Sequence, residues 1–244
     1  MIILAVGMPR AGSGWHYNLV HDLMATTGCD DAREIRAQYH LESVLTEVNC
    51  NIGVLSLRRL ALVVRPALLG HTFVVKAHAA PTVWARALIQ GGLMQAVYIY
   101  RDPRDAMLSA HDYGRRVLEQ QGRPNAFSHL TDFQKTLDFF AEYVQGWEQW
   151  MKIPGVLKTR YEDLLQSYDA EALRLAKFLG VDVTSDGVRA AIEKYRPGGD
   201  AQGQQGTHYF KGQVGRFRER YSTEEQKILA EKFGDTLKKM GYEV

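Results

Sequence analysis

Short apolar runs recur along this chain, separated by longer segments in which apolar residues return every third or fourth position. The runs Ile2–Val6, Thr72–Lys76, Gln95–Tyr100 and Gly155–Thr159 are short, mostly apolar and rich in Val, Ile or Tyr. That pattern predicts strands covered on both faces. Helical periodicity predicts helices over Gly14–Thr26, Pro81–Gln90 and Pro103–Leu118, the last two with proline at or near the first helical position. Phe127–Met151 is a long amphipathic stretch expected to divide into two helices, and Ala170–Leu179 and Thr223–Met240 repeat the i, i+3, i+4 pattern. Strands alternating with helices imply an α/β fold, a parallel β-sheet flanked by crossover helices in a single domain over residues 1–244. The glycine-rich stretch "RPGGDAQGQQGTHYFKGQVG", Arg196 to Gly215, reads as a long functional or disordered loop.

Composition narrows the class. With 244 residues, 45% hydrophobic and 24% charged, the chain can bury a sizeable core without covalent staples. A net charge of +2 leaves room for a local cationic pocket around a small polyanion but argues against a nucleic-acid partner. Cys29 and Cys50 are too few for a disulfide framework, and no Cys/His spacing suits a metal site. The apolar start is too short for a signal-peptide core, and Arg58, Arg59, Arg65 and Pro66 interrupt "LRRLALVVRPALLG". A soluble, cytoplasmic protein without a membrane span is expected.

The chemistry begins at "GMPRAGSGW", residues 7–15, directly after the first predicted strand. Gly7 and Gly12 have the spacing of the phosphate-binding loop G-x-x-x-x-G-K-[ST], but Ser13 and Gly14 stand where its lysine and magnesium-binding hydroxyl belong. A strand, a glycine turn and a helix starting at Gly14 would aim backbone N–H groups at an anion that needs no metal. A turn built from small residues is the plain alternative. Lys76 and His78 follow the second strand two residues apart; an imidazole can take a proton from a hydroxyl, and a lysine can offset developing negative charge. Arg101 ends the third strand and Ser109 lies eight residues on, a pairing suited to a second phosphate. The competing reading pairs Arg101 and Arg104 with Asp102 and Asp105 as surface ion pairs. Lys211, Gly212, Arg216, Arg218 and Arg220 form a last basic cluster, which could equally be a solvated lead-in to the final helix.

Taken in order, the glycine loop, K-x-H, R-x7-S, Y-E-D and K-G-x-x-G resemble the sulfotransferases that use 3′-phosphoadenosine 5′-phosphosulfate (PAPS), across nearly the whole chain. The resemblance implies a P-loop-type sheet. It implies sulfuryl transfer from PAPS to a hydroxyl or amine, with adenosine 3′,5′-bisphosphate (PAP) as product and no metal required. Pro9, Arg10, Ala11, Gly12, Ser13, Gly14 and Trp15 fall on the family's 5′-phosphosulfate loop, with Arg10 replacing its lysine and Trp15 matching the tryptophan that packs on adenine. His78 falls on the catalytic base, and Lys76 and Arg10 on charges facing the sulfuryl group. Arg101 and Ser109 would grip the 3′-phosphate and Tyr161 would lie near adenine. Phe210, Lys211 and Gly212 fall on the family's R-K-G, so one arginine is missing there, with Arg216 a candidate replacement. The family's dimerisation segment is degraded at Arg218, Ser222, Thr223 and Lys227, which leaves the oligomeric state open.

A small-molecule or glycan acceptor is expected between residues 33–69 and 112–140, with Tyr39, His40, His111 and Tyr113 as candidate contacts. Two rivals stand beside this reading. A P-loop kinase for a small metabolite is disfavoured by the absent G-K-[ST], and a nonenzymatic nucleotide-binding module is disfavoured by the retained Lys76 and His78.

Overall fold

The computed structural model describes residues 1–122, 124–198 and 213–244. Its centre is a parallel sheet of four strands, β1 (Ile2–Gly7), β2 (Phe73–Ala77), β3 (Met94–Tyr100) and β4 (Leu157–Arg160), in the order β2-β1-β3-β4. β1 and β2 are buried along their whole length, which is why they read as unbroken apolar runs. Strand alternation divides the interior in two. Ile2, Leu4, Val6, Phe73, Val75, Tyr98 and their neighbours pack on one face. Ile3, Ala5, Val74, Val97 and Ile99 pack on the other, against Trp15, Leu19, Leu23 and the Tyr168–Ile192 region.

The helices are α1 (Ser13–Ala25), α2 (Ala32–Gln38), α3 (Leu57–Leu68), α4 (Val83–Gln90), α5 (Pro103–Gln121), α6 (Phe133–Met151), α7 (Tyr161–Gln166), α8 (Tyr168–Leu179), α9 (Asp186–Lys194), α10 (Phe217–Arg220) and α11 (Thr223–Met240). Four of the six predicted helices stand near their expected bounds, and two need correction. The chain from Phe127 to Met151 does not divide into two helices: Asp132 caps a single helix through Lys135 N at 2.8 Å. Before that cap, the Asn125 side chain accepts from Phe127 N at 2.7 Å and Ser128 Oγ from Asn125 N at 2.9 Å, and this turn folds Phe127 back onto α5. Pro81 lies outside α4, because Thr82 takes the cap position and accepts from Ala85 N at 3.2 Å. The sequence reading had no α2, α3, α7, α9 or α10. The interrupted apolar stretch is the amphipathic α3, which buries Leu60, Val63, Pro66 and Ala67 and exposes Arg58 and Arg65, while half-buried Arg59 donates to Ile52 O at 2.6 Å. No helix among the described residues is long and apolar enough to cross a membrane.

Topology places the crevice. From β1 the chain crosses first to β2 on one side and later to β3 on the other, so the connections diverge at the C-terminal end of β1. Open α/β sheets bind ligands at such a point. Gly7, Ala77 and Tyr100 all end there.

Candidate active site

Gly7 is the last residue of β1, and the chain must turn at once into α1. A Cβ at Gly7 would stand 2.6 Å from Ser13 Cβ and 2.8 Å from Ile99 Cγ2, so only glycine lets the helix start against the strand end. Gly12, with φ of 75°, occupies the N-cap of α1, and a Cβ there would meet Tyr161 Cδ2 at 2.8 Å. A glycine cap offers no side chain to the first-turn amides, and that turn carries no acidic residue. The amides and the helix dipole therefore present positive potential to the crevice. Between the glycines, Arg10 has φ of 61°, a left-handed conformation that costs a non-glycine residue about 1–2 kcal/mol. Three contacts offset that strain: Arg10 Nε donates to Ser109 Oγ at 3.2 Å, and its guanidinium lies 4.3 Å from the Tyr113 ring and 5.8 Å from that of Phe127.

Arg10, Ser13, Lys76 and His78 line one cleft of about 230 Å³, together with Pro9, Asn49, Tyr113 and residues 125–127. Lys76 is 4% exposed. Its ammonium is pulled down to about 8 by burial and by the charge of Arg10. Burial, with smaller contributions that include Arg101, likewise lowers Arg10 to about 10. Neither cation has a carboxylate partner among the described residues. A buried and a half-buried cation without carboxylates, Lys76 and Arg10, beside an uncapped helix start make a site suited to an anion.

His78 lies just beyond the end of β2, and its Nδ1 is 2.6 Å from the Gly7 carbonyl oxygen. A carbonyl can only accept, so Nδ1 carries the proton and Nε2 keeps its lone pair. Burial, then the charge of Lys76, holds the imidazole down to about 4, neutral and ready to take a proton at physiological pH. His78 also lines a second cleft of about 450 Å³, walled by residues 53–56 and by Tyr98, Tyr143, Gly146 and Trp150. One imidazole thus borders a cationic cleft and a second, mostly apolar one that includes Tyr98, Tyr143 and Trp150.

Arg101 and Arg104 do pair with Asp105 and Asp102, but as buried pairs rather than surface ones, with all four residues at most 7% exposed. Arg101 also donates to Gln213 O at 2.6 Å, and its guanidinium lies 4.6 Å from the Tyr161 ring. Its Nε has no hydrogen-bond partner among the described residues. Asp105 accepts from Gly215 N at 2.7 Å and Phe217 N at 3.1 Å, tying the start of α10 to α5.

Trp15 is buried, stacked on Tyr168 at 5.9 Å and edge-on to Tyr161 at 6.3 Å, with its indole N–H donating to Tyr195 O at 2.8 Å. Ala11 is fully buried beneath the loop, and Gly14 is buried in the first turn of α1. Phe210, Lys211 and Gly212 lie outside the described residues. Arg216 pairs with Asp112 at 2.8 Å instead of standing open to a ligand. Of the four candidate acceptor contacts, Tyr113 lines the cationic cleft beneath Arg10, whereas Tyr39, His40 and His111 line neither cleft. Tyr39 packs on His71 at 5.5 Å. Asn49 and Phe127 fall within the segments 33–69 and 112–140 expected to line the acceptor's side but line the cationic cleft instead, and the sequence reading missed Tyr98, Tyr143 and Trp150. Asn49 is brought in because residues 50–52 bridge to the outer edge of β2 through Lys76 N to Cys50 O and Ile52 N to Lys76 O, a pairing no local pattern announces.

Residues 2–240 match the family model described as a sulfotransferase domain. Amine sulfotransferase from Oryctolagus cuniculus is 20% identical over 117 residues, covering 47% of this chain and 39% of that protein. The match therefore spans well under half of that relative's length. Among solved structures, retinol dehydratase in complex with androsterone and the inactive cofactor PAP superposes with a TM-score of 0.60 at 18% identity, over 97% of this chain and 80% of that one. Mouse sulfotransferase SULT7A1 complexed with PAP gives 0.58 at 14% identity, over 97% and 84%. At such identities the two structures bear on the fold alone.

Proposed function

This chain belongs to the sulfotransferase domain family, and we propose that it transfers the sulfuryl group of PAPS to a hydroxyl or amine of a small cytoplasmic acceptor, with His78 as general base. The observation that carries this reading is a pair of cations without carboxylates, half-buried Arg10 and buried Lys76, sharing a cleft with a neutral imidazole that also faces a second cleft.

The residues fit the donor. Arg10, Lys76, Ser13 and the first-turn amides of α1 would hold its 5′-phosphosulfate end. Arg101, with an unpartnered Nε, would hold the 3′-phosphate. When bound, PAPS supplies the sulfur whose bond to the 5′-phosphate oxygen breaks. His78 Nε2 takes the acceptor's proton as the acceptor oxygen or nitrogen bonds to sulfur, while the Gly7 carbonyl steadies the imidazolium through Nδ1–H. Lys76 and Arg10 offset negative charge on the sulfuryl oxygens and on the departing phosphate, each positioned cation contributing a few kcal/mol, roughly 3 at most. Arg10 stays protonated, so it stabilises charge without donating a proton to the leaving group.

The pH profile tests this assignment. His78 acts only when neutral, so kcat/KM for PAPS-dependent turnover should rise through about pH 4 and then level off. Lys76 acts only when charged, so it should fall as pH climbs through about 8. Lys76→Arg should remove that alkaline limb, because a guanidinium keeps its proton throughout the range. An alkaline limb that persists in Lys76→Arg would take Lys76 out of the mechanism.

A further inference from the structure

Exposed apolar side chains are unevenly spread over this chain. Eight of the thirteen large ones among the described residues stand between Val48 and Trp84. The same region lacks negative charge: residues 48–101 hold five arginines and Lys76 but no aspartate or glutamate. Helix α3 concentrates both features. Its buried positions, Leu60, Val63, Pro66 and Ala67, share one face. At about 100° per residue, the exposed face opposite carries Arg58 and Arg65 along its middle. Leu57, Ala61 and Leu68 flank them on one side, and Leu62 with the C-cap residue Leu69 on the other.

A second element continues this surface. Thr82, the N-cap of α4, donates to Leu55 O at 2.7 Å, which ties the start of α4 to the loop before α3. Exposed Val83 and Trp84 are thereby held near exposed Val54 and Leu57. Val54, Leu55, Ser56 and Thr82 also line the larger cleft, so this apolar rim lies at its mouth. The carboxylate in that lining, Glu142, comes from α6.

We propose that the exposed face of α3 and the start of α4 dock on the surface of an anionic lipid bilayer and present the mouth of the larger cleft to it. Arginines flanked by leucines suit that surface: the apolar side chains enter the headgroup boundary, while Arg58 and Arg65 reach lipid phosphates. A second copy of this chain is a poorer occupant, because a two-fold contact sets Arg58 and Arg65 against the same basic face. The helix lies along the bilayer and is too short and too charged to cross it. The docking stands apart from the sulfuryl-transfer reading, and its test needs no turnover.

Flotation with vesicles of phosphatidylcholine alone, and of phosphatidylcholine mixed with phosphatidylglycerol, tests it. At low salt the full chain should float with the anionic vesicles only. Arg58→Gln with Arg65→Gln should weaken that binding by about thirtyfold, and Leu62→Ser with Leu68→Ser by at least about tenfold. Lys177→Gln with Arg189→Gln removes two exposed charges from helices packed on the other face of the sheet, and binding should then stay within about twofold. Trp84 gives a local readout, since Trp15, Trp147 and Trp150 are buried. Anionic vesicles should shift the protein's emission to the blue, and Trp84→Phe should abolish that shift. Binding to neither vesicle, which would leave an acidic protein as the occupant, overturns the proposal. So does equal weakening by the two charge pairs, binding without the blue shift, or a dimer in solution that Leu62→Ser with Leu68→Ser dissolves.

Discussion

Replacing His78 with alanine is expected to lower kcat by about 10²- to 10⁴-fold, the range for losing a positioned general base. The affinity for PAP should stay close to that of the unaltered protein. The separation of the two effects follows from charge. His78 is neutral in the resting site, so removing it takes no cation from the anion's surroundings. Binding is left to Arg10, Lys76, Arg101 and the start of α1. The imidazole is also fixed in one tautomer by the Gly7 carbonyl, so its Nε2 cannot be replaced by a water of random orientation. Steady-state turnover and calorimetric titration with PAP, performed on the same preparation, separate the effects. A kcat that survives the substitution would show that the acceptor's proton leaves by another route, and a parallel collapse of PAP binding would show that His78 serves the donor cleft instead.

Asp105→Ala should destabilise the fold by about 3–5 kcal/mol, the range for breaking a buried ion pair. At this chain length that corresponds to a fall in Tm of roughly 10 °C. Asp105 is 1% exposed and receives Arg101 at 3.3 Å, Gly215 N at 2.7 Å and Phe217 N at 3.1 Å. Its removal leaves a buried guanidinium and two backbone amides without their acceptor. Because Arg101 would also lose the contact that orients it, PAP affinity should fall along with stability. Thermal unfolding of Asp105→Ala with and without PAP measures both effects. An unchanged Tm would mean that water reaches these groups and that the pair is not the tie described above.

Asp105 also illustrates what the sequence could and could not reveal. "RDPRD" offers two arginines and two aspartates, and either a phosphate grip or mutual pairing is chemically sound. The fold allows both, since Asp105 engages one terminal nitrogen of Arg101 and leaves Nε without a partner. Buried strands and the glycine turn were legible because their constraints are local: continuous apolarity, a tight turn, a helix that follows at once. Lys76 and His78 were legible for the same reason, as residues at a strand end. The second cleft was legible only in part, through residues 53–56 of the expected segment 33–69. Its walls come from residues 53–56, the end of β2, β3 and α6, distant in sequence, and Tyr143 and Trp150 look like ordinary amphipathic core in the pattern of α6. Tyr39, His40 and His111 were plausible acceptor contacts by residue type, but residue type carries no information about which cleft a helix end faces. Asn49 reaches the cationic cleft only because the segment after it bridges to β2.

One spatial proposition supports the functional reading: cations without carboxylate partners among the described residues and a neutral imidazole share a crevice at the end of β1, and the imidazole faces a separate cleft. Its most direct test is transfer of ³⁵S from labelled PAPS to a phenolic acceptor in the presence of EDTA, with release of PAP followed in parallel. Label on the acceptor in amounts equal to the PAP released is the expected result. PAP release with label only in inorganic sulfate, or no reaction with PAPS alongside magnesium-dependent phosphate transfer from ATP, would contradict it.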